Sequence, residues 1–450
     1  MRPHFSRART QPMTEGSIPR HLLAYAIPAI LGDLFQVTYN TVDSIIVGKY
    51  AGADALAAVG VASPLMSVAM FFIIGMGIGA SVLMSEFYGA QDIRNLRREF
   101  ATTLIMSMAL SAAIAVGLYA LSNPLLQLVN TPAEIMADTA RYLRIVALGM
   151  VVTGLYNILA AASRSVGDTR APLICLVLGS LTNVGLDLWF VSGLHMGVAG
   201  AAYATVISQA CSAALCGWLL SRTEPVFFSD RRDFRLDRGL LGRTMRFSYA
   251  SALQQAGVYV GRILVQSMVN PLGVQAAAAF TAVNRIDDYA LIPERDIASG
   301  ETVLVAQNHG AKRPDRMRQG LRVSLVMEVV YGVIVSVCVF ALAEPLMKLF
   351  VAPEETEVIR LGTRYLKLMG FFYFMPGITN GLQGYMRAIG KMSLTMYVTY
   401  SQMFTRALFT FLLIGSMHLD AVPLACVAGW ILMMVWEVGL IVHWKRTGKM

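Results

Sequence analysis

Apolar runs of about 20 residues, separated by short polar turns, recur along the whole chain. A helix of that length spans the ~30 Å hydrocarbon core of a bilayer. In lipid the backbone finds no water, so each run must satisfy its own hydrogen bonds as a helix. Windows fall at 22–48, 57–84, 98–121, 138–162, 171–193 and 197–220, then at 247–269, 276–306, 320–343, 360–386, 391–416 and 421–444. Hydrophobic residues make up 56% of the 450 and charged residues 14%, with mean hydropathy +0.57. An ordinary globular protein carries about 25% charge. This chain has too little polar material to cover several soluble domains. The pattern predicts an all-α membrane protein with twelve transmembrane helices. Residues 1–21 form an N-terminal tail, 22–220 and 247–444 two six-helix bundles, 221–246 a linker, and 445–450 a C-terminal tail.

The turns orient the chain. Odd-numbered turns hold almost no Lys or Arg: Lys49 in the first, Lys348 in the fifth, and none in 122–133, 192–197 or 270–276. Even-numbered turns hold Arg94, Arg97 and Arg98; Arg164 and Arg170; Lys312, Arg313, Arg316 and Arg318; Arg387 and Lys391. The linker carries Arg222, Arg231, Arg232, Arg235, Arg238, Arg243 and Arg246. The positive-inside rule then puts both tails and the linker in the cytoplasm. The net charge of +9 is accounted for by these loops, with no call on a nucleic-acid partner. The basic first 20 residues lack the apolar core and cleavage site of a signal peptide.

The chain also repeats itself. Gly89-Ala90 matches Gly310-Ala311, and Pro124 and Pro132 match Pro345 and Pro353, all at an offset of 221 residues. Arg141-Tyr142-Leu143-Arg144 matches Arg364-Tyr365-Leu366-Lys367, and Arg164 and Gly167 match Arg387 and Gly390, at 223. Such a constant offset is the mark of duplication. Each copy has an even number of spans, so both run the same way through the membrane. The two bundles are therefore expected to be related by a pseudo-two-fold axis along the membrane normal, an arrangement transporters use.

Several chemistries are excluded or disfavoured. No Walker A sequence occurs, so the chain does not hydrolyse ATP by that machinery, and nothing marks it as an enzyme. Gly75, Gly77 and Gly79 lie inside a span with no strand before them and read as close helix packing. The six histidines do not cluster, and the five cysteines (Cys175, Cys211, Cys216, Cys338, Cys426) lie in apolar segments without zinc spacing. No cofactor and no structural metal site is expected.

Charges inside the spans are the informative residues, because each is costly at the bilayer centre. Span 1 carries Asp33, Gln36, Asn40 and Asp43 at spacings that share one helix face. Span 5 carries Ser180, Asn183 and Asp187, again on one face. The first bundle thus has three carboxylates with no Lys or Arg in mid-span. Uncompensated carboxylates bind a cation or take up a proton. Span 7 has Gln255, Tyr259, Arg262 and Gln266 on one stripe. Span 8 has Arg285, Asp287, Asp288, Glu294, Arg295 and Asp296, and Arg406 lies in span 11. Four positive charges there meet four negative ones and are expected to neutralise one another. Asn380 and Gln383 lie in span 10, while Glu301 and Glu328 find no evident role.

Taken together, Ile27-Pro28-Ala29, Tyr39-Asn40-Thr41-Val42-Asp43, Tyr88-Gly89-Ala90, Arg164 to Pro172, Asn183 to Asp187 and Gln307 to Ala311 resemble the multidrug and toxic compound extrusion (MATE) family over about residues 20–445. The resemblance implies an antiporter that exports organic, often cationic, small molecules in exchange for H⁺ or Na⁺. It is nearest to the DinF-like branch, whose ion site falls here on Asp43, Asn183 and Asp187, with Asn40 beside them. Those three residues would also be the ligands of a coupling Na⁺. The acids that the NorM-like branch carries in helices 7 and 10 are replaced here by Ala256 and Pro376. Asp33 and the Glu294-Arg295-Asp296 run after Pro293 depart from the family pattern. Asp33, Gln36, Tyr39, Ser180, Gln255, Tyr259, Arg262, Asn380 and Gln383 are the candidate substrate-cavity residues. A monomer in a bacterial or archaeal cytoplasmic membrane is expected. The alternative keeps the fold but changes the cargo to a lipid-linked saccharide, whose phosphates Arg262 and Arg406 would meet if they were unpaired.

Overall fold

The computed structural model describes residues 12–447; Arg2, Arg7 and Arg9 of the N-terminal tail, and residues 448–450 of the C-terminal tail, lie outside the described residues. All twelve apolar windows are helical over most of their length, and two of them are broken once. Eight stretches among the described residues are long and apolar enough to cross a membrane, and the last of them, Met392–Arg446, contains two helices. The other helices of the second half are too short or too polar to qualify by hydropathy, because that half carries its charges inside the helices.

Contacts divide the chain into two units, Ile27–Ala252 and Met13–Ala26 with Leu253–Met450. The first unit is built from α1 (Ile18–Tyr50, from Ile27 onward), α2 (Ala53–Gly89), α3 (Ile93–Ala120), the short α4 (Ser122–Leu128), α5 (Met136–Ser165), α6 (Arg170–Asp187) and α7 (Gly197–Thr223). The second uses most of α8 (Arg238–Val269), then α9 (Val274–Ala290), α10 (Ile292–Gly310), α11 (Pro314–Phe350), α12 (Thr356–Gly370), α13 (Phe374–Ala388), α14 (Met392–Met417) and α15 (Ala421–Arg446).

The duplication reaches the backbone. Leu121 separates α3 from α4 with φ −95° and ψ 10°. Leu342 bends α11 with φ −105° and ψ 15°, 221 residues later. Both precede a proline by three residues, Pro124 and Pro345. Proline removes a helix hydrogen bond and clashes with the preceding turn, which bends the helix there. The left-handed residues pair in the same way: Gln91 with Lys312, His195 with His418, Gly52 with Gly273 and Gly167 with Gly390.

The copies differ where spans break. The window 276–306 is interrupted at Leu291, just before Pro293, and 360–386 at Phe371–Tyr373, just before Pro376. The matching windows of the first unit are the unbroken α2 and α5. In the first unit the glycine run of α2 lets helices touch. A Cβ at Gly75 would collide with the Ala252 backbone, and one at Gly79 would lie 2.6 Å from Ser248 N. Outward faces are apolar, as lipid requires: Val326, Val330, Val333, Ile334 and Val337 form one exposed stripe along α11.

The segment 221–246 is pinned to the first unit. Phe227 is buried with its ring 5.1 Å from that of Phe100. Arg97 and Arg98 reach Asp233 at 3.0 and 3.3 Å, and Arg98 reaches Asp237 at 3.2 Å. Thr244 donates to buried Glu99 at 2.9 Å. Helix α8 starts at Arg238, nine residues before the apolar window, because Asp237 Oδ1 accepts from Gly239 N (2.9 Å) and Leu240 N (3.3 Å). That is an N-cap, worth about 1 kcal/mol. The tail is tied to the second unit: Met13 N donates to Gln307 (2.9 Å), and Arg313 donates to Thr14 O (2.7 Å).

The backbone N–H of Gly239, with that of Leu240 and the Arg98 guanidinium, holds the Asp237 carboxyl below its usual range. A depressed folded value stabilises above the unfolded pKa, and the effect is lost as pH falls through the folded value. Asp237→Ala should therefore fray the start of α8 and speed tryptic cleavage at Arg235 and Arg238, by about fivefold for a cap of ~1 kcal/mol. Unchanged cleavage would show that Asp237 does not hold this helix end.

Candidate ion site in the first unit

Helices α1, α5, α6 and α7 bring one polar constellation together. Asp43 and Asp187 lie side chain to side chain. Asp187 and Asn183 are fully buried. Oriented to satisfy both ends of its carboxamide, Asn183 accepts from Thr205 N (3.1 Å) and donates to Asp187 Oδ2 (2.9 Å) and the Tyr39 hydroxyl (2.6 Å). Tyr142 of α5, 7% exposed, faces both aspartates. One oxygen of each carboxyl, Asp43 Oδ1 and Asp187 Oδ1, is buried without a donor. Two such carboxyls in contact repel unless a proton or cation sits between them.

Local helix geometry selects the partners. At 3.6 residues per turn, residues four apart lie about 40° apart around the helix and residues three apart about 60°. Tyr39 is thus better aligned with Asp43 than Asn40 is. Asn40 instead accepts from Gln36 (3.3 Å) at an exposed position. Immediately after Asp187 the chain enters a π-helical turn, Leu188–Gly193. Such turns leave backbone groups less tightly paired and are frequent at functional sites. Asp33, on an exposed part of the same helix, faces Tyr156 of α5. Ser180 is 6% exposed and lies one turn before Asn183.

The residues singled out in the second unit are distributed differently. Arg262 Nη2 pairs with Asp288 at 2.9 Å, and the Tyr373 hydroxyl donates to Asp287, which Arg406 also faces. Gln383 is 3% exposed and enclosed in an amide–hydroxyl network with Gln254 (2.9 Å) and Thr399 (3.2 Å), so it lines no open cavity. Gln255, Tyr259 and Asn380 are half-buried. The expected four-against-four neutralisation is incomplete. Glu294 is fully buried and neither of its oxygens receives a hydrogen bond. The break at Leu291 separates it from Asp287 and Asp288 by starting a new helix, which turns it away from their arginines.

Sequence reasoning missed Tyr142 and Thr205. Tyr142 had a signal, since it sits in the repeated Arg-Tyr-Leu-Arg/Lys motif with Tyr365 as its counterpart. Thr205 contributes a backbone N–H, which no side-chain pattern reveals.

Comparison with known proteins places this architecture. The chain is 29% identical over 388 residues to the probable multidrug resistance protein YoeA of Bacillus subtilis, covering 85% of this chain and 83% of that one. It is 23% identical over 403 residues to the probable multidrug resistance protein NorM of Thermotoga maritima, covering 87% and 84%. A crystal structure of MATE in the bent conformation superposes with a TM-score of 0.90 at 22% identity, over 97% of this chain and 98% of that chain. The fold is thus that of two bundles of six membrane-spanning segments. The MatE family profile matches residues 28–189 and 250–412, one stretch in each copy, and the chain belongs to the MatE family.

Proposed function

We propose that this protein is an ion-coupled multidrug efflux antiporter, exporting organic and often cationic compounds in exchange for H⁺ or Na⁺ by alternating access. The observation that carries the coupling is the contact between Asp43 and Asp187, each with one buried oxygen lacking a donor. Asn183 and Tyr39 are neutral ligands of the same site, and Asp33, Gln36 and Asn40 line its approach. The names of the relatives support multidrug cargo. Ala256 and Pro376, standing where the NorM-like branch carries acids, favour the DinF-like branch. The protein works as a monomer in a bacterial or archaeal cytoplasmic membrane with both termini inside. A phosphate-bearing lipid cargo fits less well, because Arg262 already pairs with Asp288.

Coupling follows from differential binding. A proton or Na⁺ entering from outside neutralises the carboxyl pair and favours one arrangement of the protein. A cationic compound favours the other. A ligand that bound both equally would drive nothing. Asp43→Asn with Asp187→Asn keeps size and hydrogen bonding but removes both charges. Driven efflux should fall roughly tenfold or more in proteoliposomes, the equivalent of about 1.4 kcal/mol of lost differential binding. The double variant should be little worse than either single one, since residues of one site are not additive. Full gradient-driven efflux in the double variant would exclude this site, and efflux driven by neither a pH nor a Na⁺ gradient would exclude antiport.

Orientation is tested separately. A cysteine placed at Asp168, between the basic ends of α5 and α6, should react with an impermeant maleimide only from the cytoplasmic side. Labelling from outside would invert the assignment.

A further inference from the structure

The second unit buries a set of carboxyls that the proposed coupling does not use. Glu294 and Glu301 of α10, Glu328 of α11 and Glu437 of α15 are all fully buried. Neither oxygen of Glu294, Glu301 or Glu437 receives a well-formed hydrogen bond, and Oε2 of Glu328 has none. The Ser324 hydroxyl stands 3.4 Å from Glu328 Oε1 and is shared with the Glu301 side. One guanidinium, Arg387 of α13, faces Glu301, Glu328 and Glu437. A single positive charge cannot neutralise them all.

Three of these acids are seated in order along one face of α13. A Cβ at Gly377 would meet the Glu294 carboxyl carbon at 3.4 Å, one at Gly381 would strike Glu328 Oε2, and one at Gly384 would lie 3.2 Å from Glu301 Oε2. The glycines step four and then three residues, so the sequence Glu294, Glu328, Glu301 climbs about 10 Å along the helix. A further unpartnered group points to the same place: the Tyr385 hydroxyl is fully buried, has no hydrogen bond and faces Glu301.

The duplication supplies an internal control. At offset 221, Glu294, Glu301 and Glu328 correspond to Ile73, Ala80 and Ser107; at offset 223, Gly381 and Gly384 correspond to Ile158 and Ala161. Those first-unit residues are all buried, with no acid among them. The scaffold therefore packs without carboxyls here. In the second copy, Gly381 and Gly384 occur together with the acids that they make room for, whereas Gly377 is shared with Gly154 of the first copy.

One metal ion does not explain the set. Glu294 and Glu301 are seven residues apart, about 10 Å along α10, whereas a hard cation holds its oxygens at ~2.4 Å. Each carboxyl needs its own neutralising partner. We propose that Glu294, Glu328 and Glu301 form a second proton-binding site, a ladder of carboxyls inside the second unit on which protons are held. The groups facing it are Ser324 and Tyr331 of α11, Tyr385 and Arg387 of α13 with Arg318 beyond Tyr385, Glu437 of α15, and Tyr25 of α1 against Gly300. This assignment does not depend on coupling at Asp43 and Asp187, and its test uses no transport.

The full chain in detergent is treated with dicyclohexylcarbodiimide, which adds to protonated carboxyls in apolar surroundings, and mapped by peptide mass spectrometry. Adducts on Glu294, Glu301 or Glu328 should decline several-fold as the pH is raised from neutral to alkaline, because burial disfavours the charged form, and be indifferent to excess Na⁺. The triple variant Glu294→Gln, Glu301→Gln, Glu328→Gln mimics the neutral acids whether or not the reagent gains entry. It should keep the parent's thermal midpoint to within a few degrees near neutral pH, while the parent alone loses stability as the pH rises. Adducts suppressed by Na⁺, or a triple variant that loses tens of degrees, would mean that the acids hold a metal or are ion-paired, and would overturn the proposal.

Discussion

Burying a carboxyl in an apolar helix bundle is the constraint around which this structure is arranged. A charged group taken out of water without a partner costs several kcal/mol, so each acid must be paired, hydrogen-bonded or neutralised. Three solutions coexist. Glu99 accepts from two hydroxyls, Thr103 and Thr244. Asp287 and Asp288 take a tyrosine hydroxyl and an arginine. The Asp43–Asp187 pair and the Glu294–Glu328–Glu301 series have oxygens with no protein donor at all. The first two solutions are finished by the fold. The last is left unsatisfied by the fold, which is what separates a structural acid from a candidate functional one.

Duplication explains why these sites are not twins. The two copies share their bends at Leu121 and Leu342 and their left-handed turns at Gln91 and Lys312, so the scaffold is the same. The chemistry is not. At the repeat offset Asp43 corresponds to Leu264, Asp187 to Thr410 and Asn183 to Arg406. The acids of the second copy stand instead where the first has Ile73, Ala80 and Ser107. Once two copies supply two cores, each can lose one set of polar groups and acquire another while the backbone geometry is preserved by matched prolines and glycines. Prolines also mark the divergence, since Pro293 and Pro376 follow the two breaks that the first copy lacks.

Much of this was legible in the sequence, for physical reasons. Membrane spans announce themselves because lipid demands long apolar helices, and all twelve windows are helical over most of their length. Spacing put Asp43 and Asp187 on polar faces of two helices. It did not choose between Asn40 and Tyr39, because the difference of some 20° in helix phase decides only when the facing helix is in place. The breaks at Leu291 and Phe371 were illegible from hydropathy, which averages across a window. Their consequence, a Glu294 separated from its nearby arginines, was illegible with them. Glu301 and Glu328 had no partner in the sequence because their neighbours are glycines, and a glycine's contribution is the space that it leaves.

That space bears on how an exporter of this kind is able to change shape. Tightly packed cores are bistable rather than continuously deformable. A group whose charge comes and goes with a bound ion is a natural switch between two packings, because it changes the cost of burial by several kcal/mol without moving an atom of the chain. The glycine face of α13 and the π-helical turn after Asp187 are two places where the helices that carry such groups depart from a regular packed helix. At Asp187 the helix changes its winding, and at α13 glycines leave room for the acids of the neighbouring helices. On the proposed reading, neutralising the acid at either place favours the packing that buries it, and restoring the charge favours one that wets it. On that same reading a bound ion acts on helix packing through the hydration of the acid, at the helices that already carry these residues.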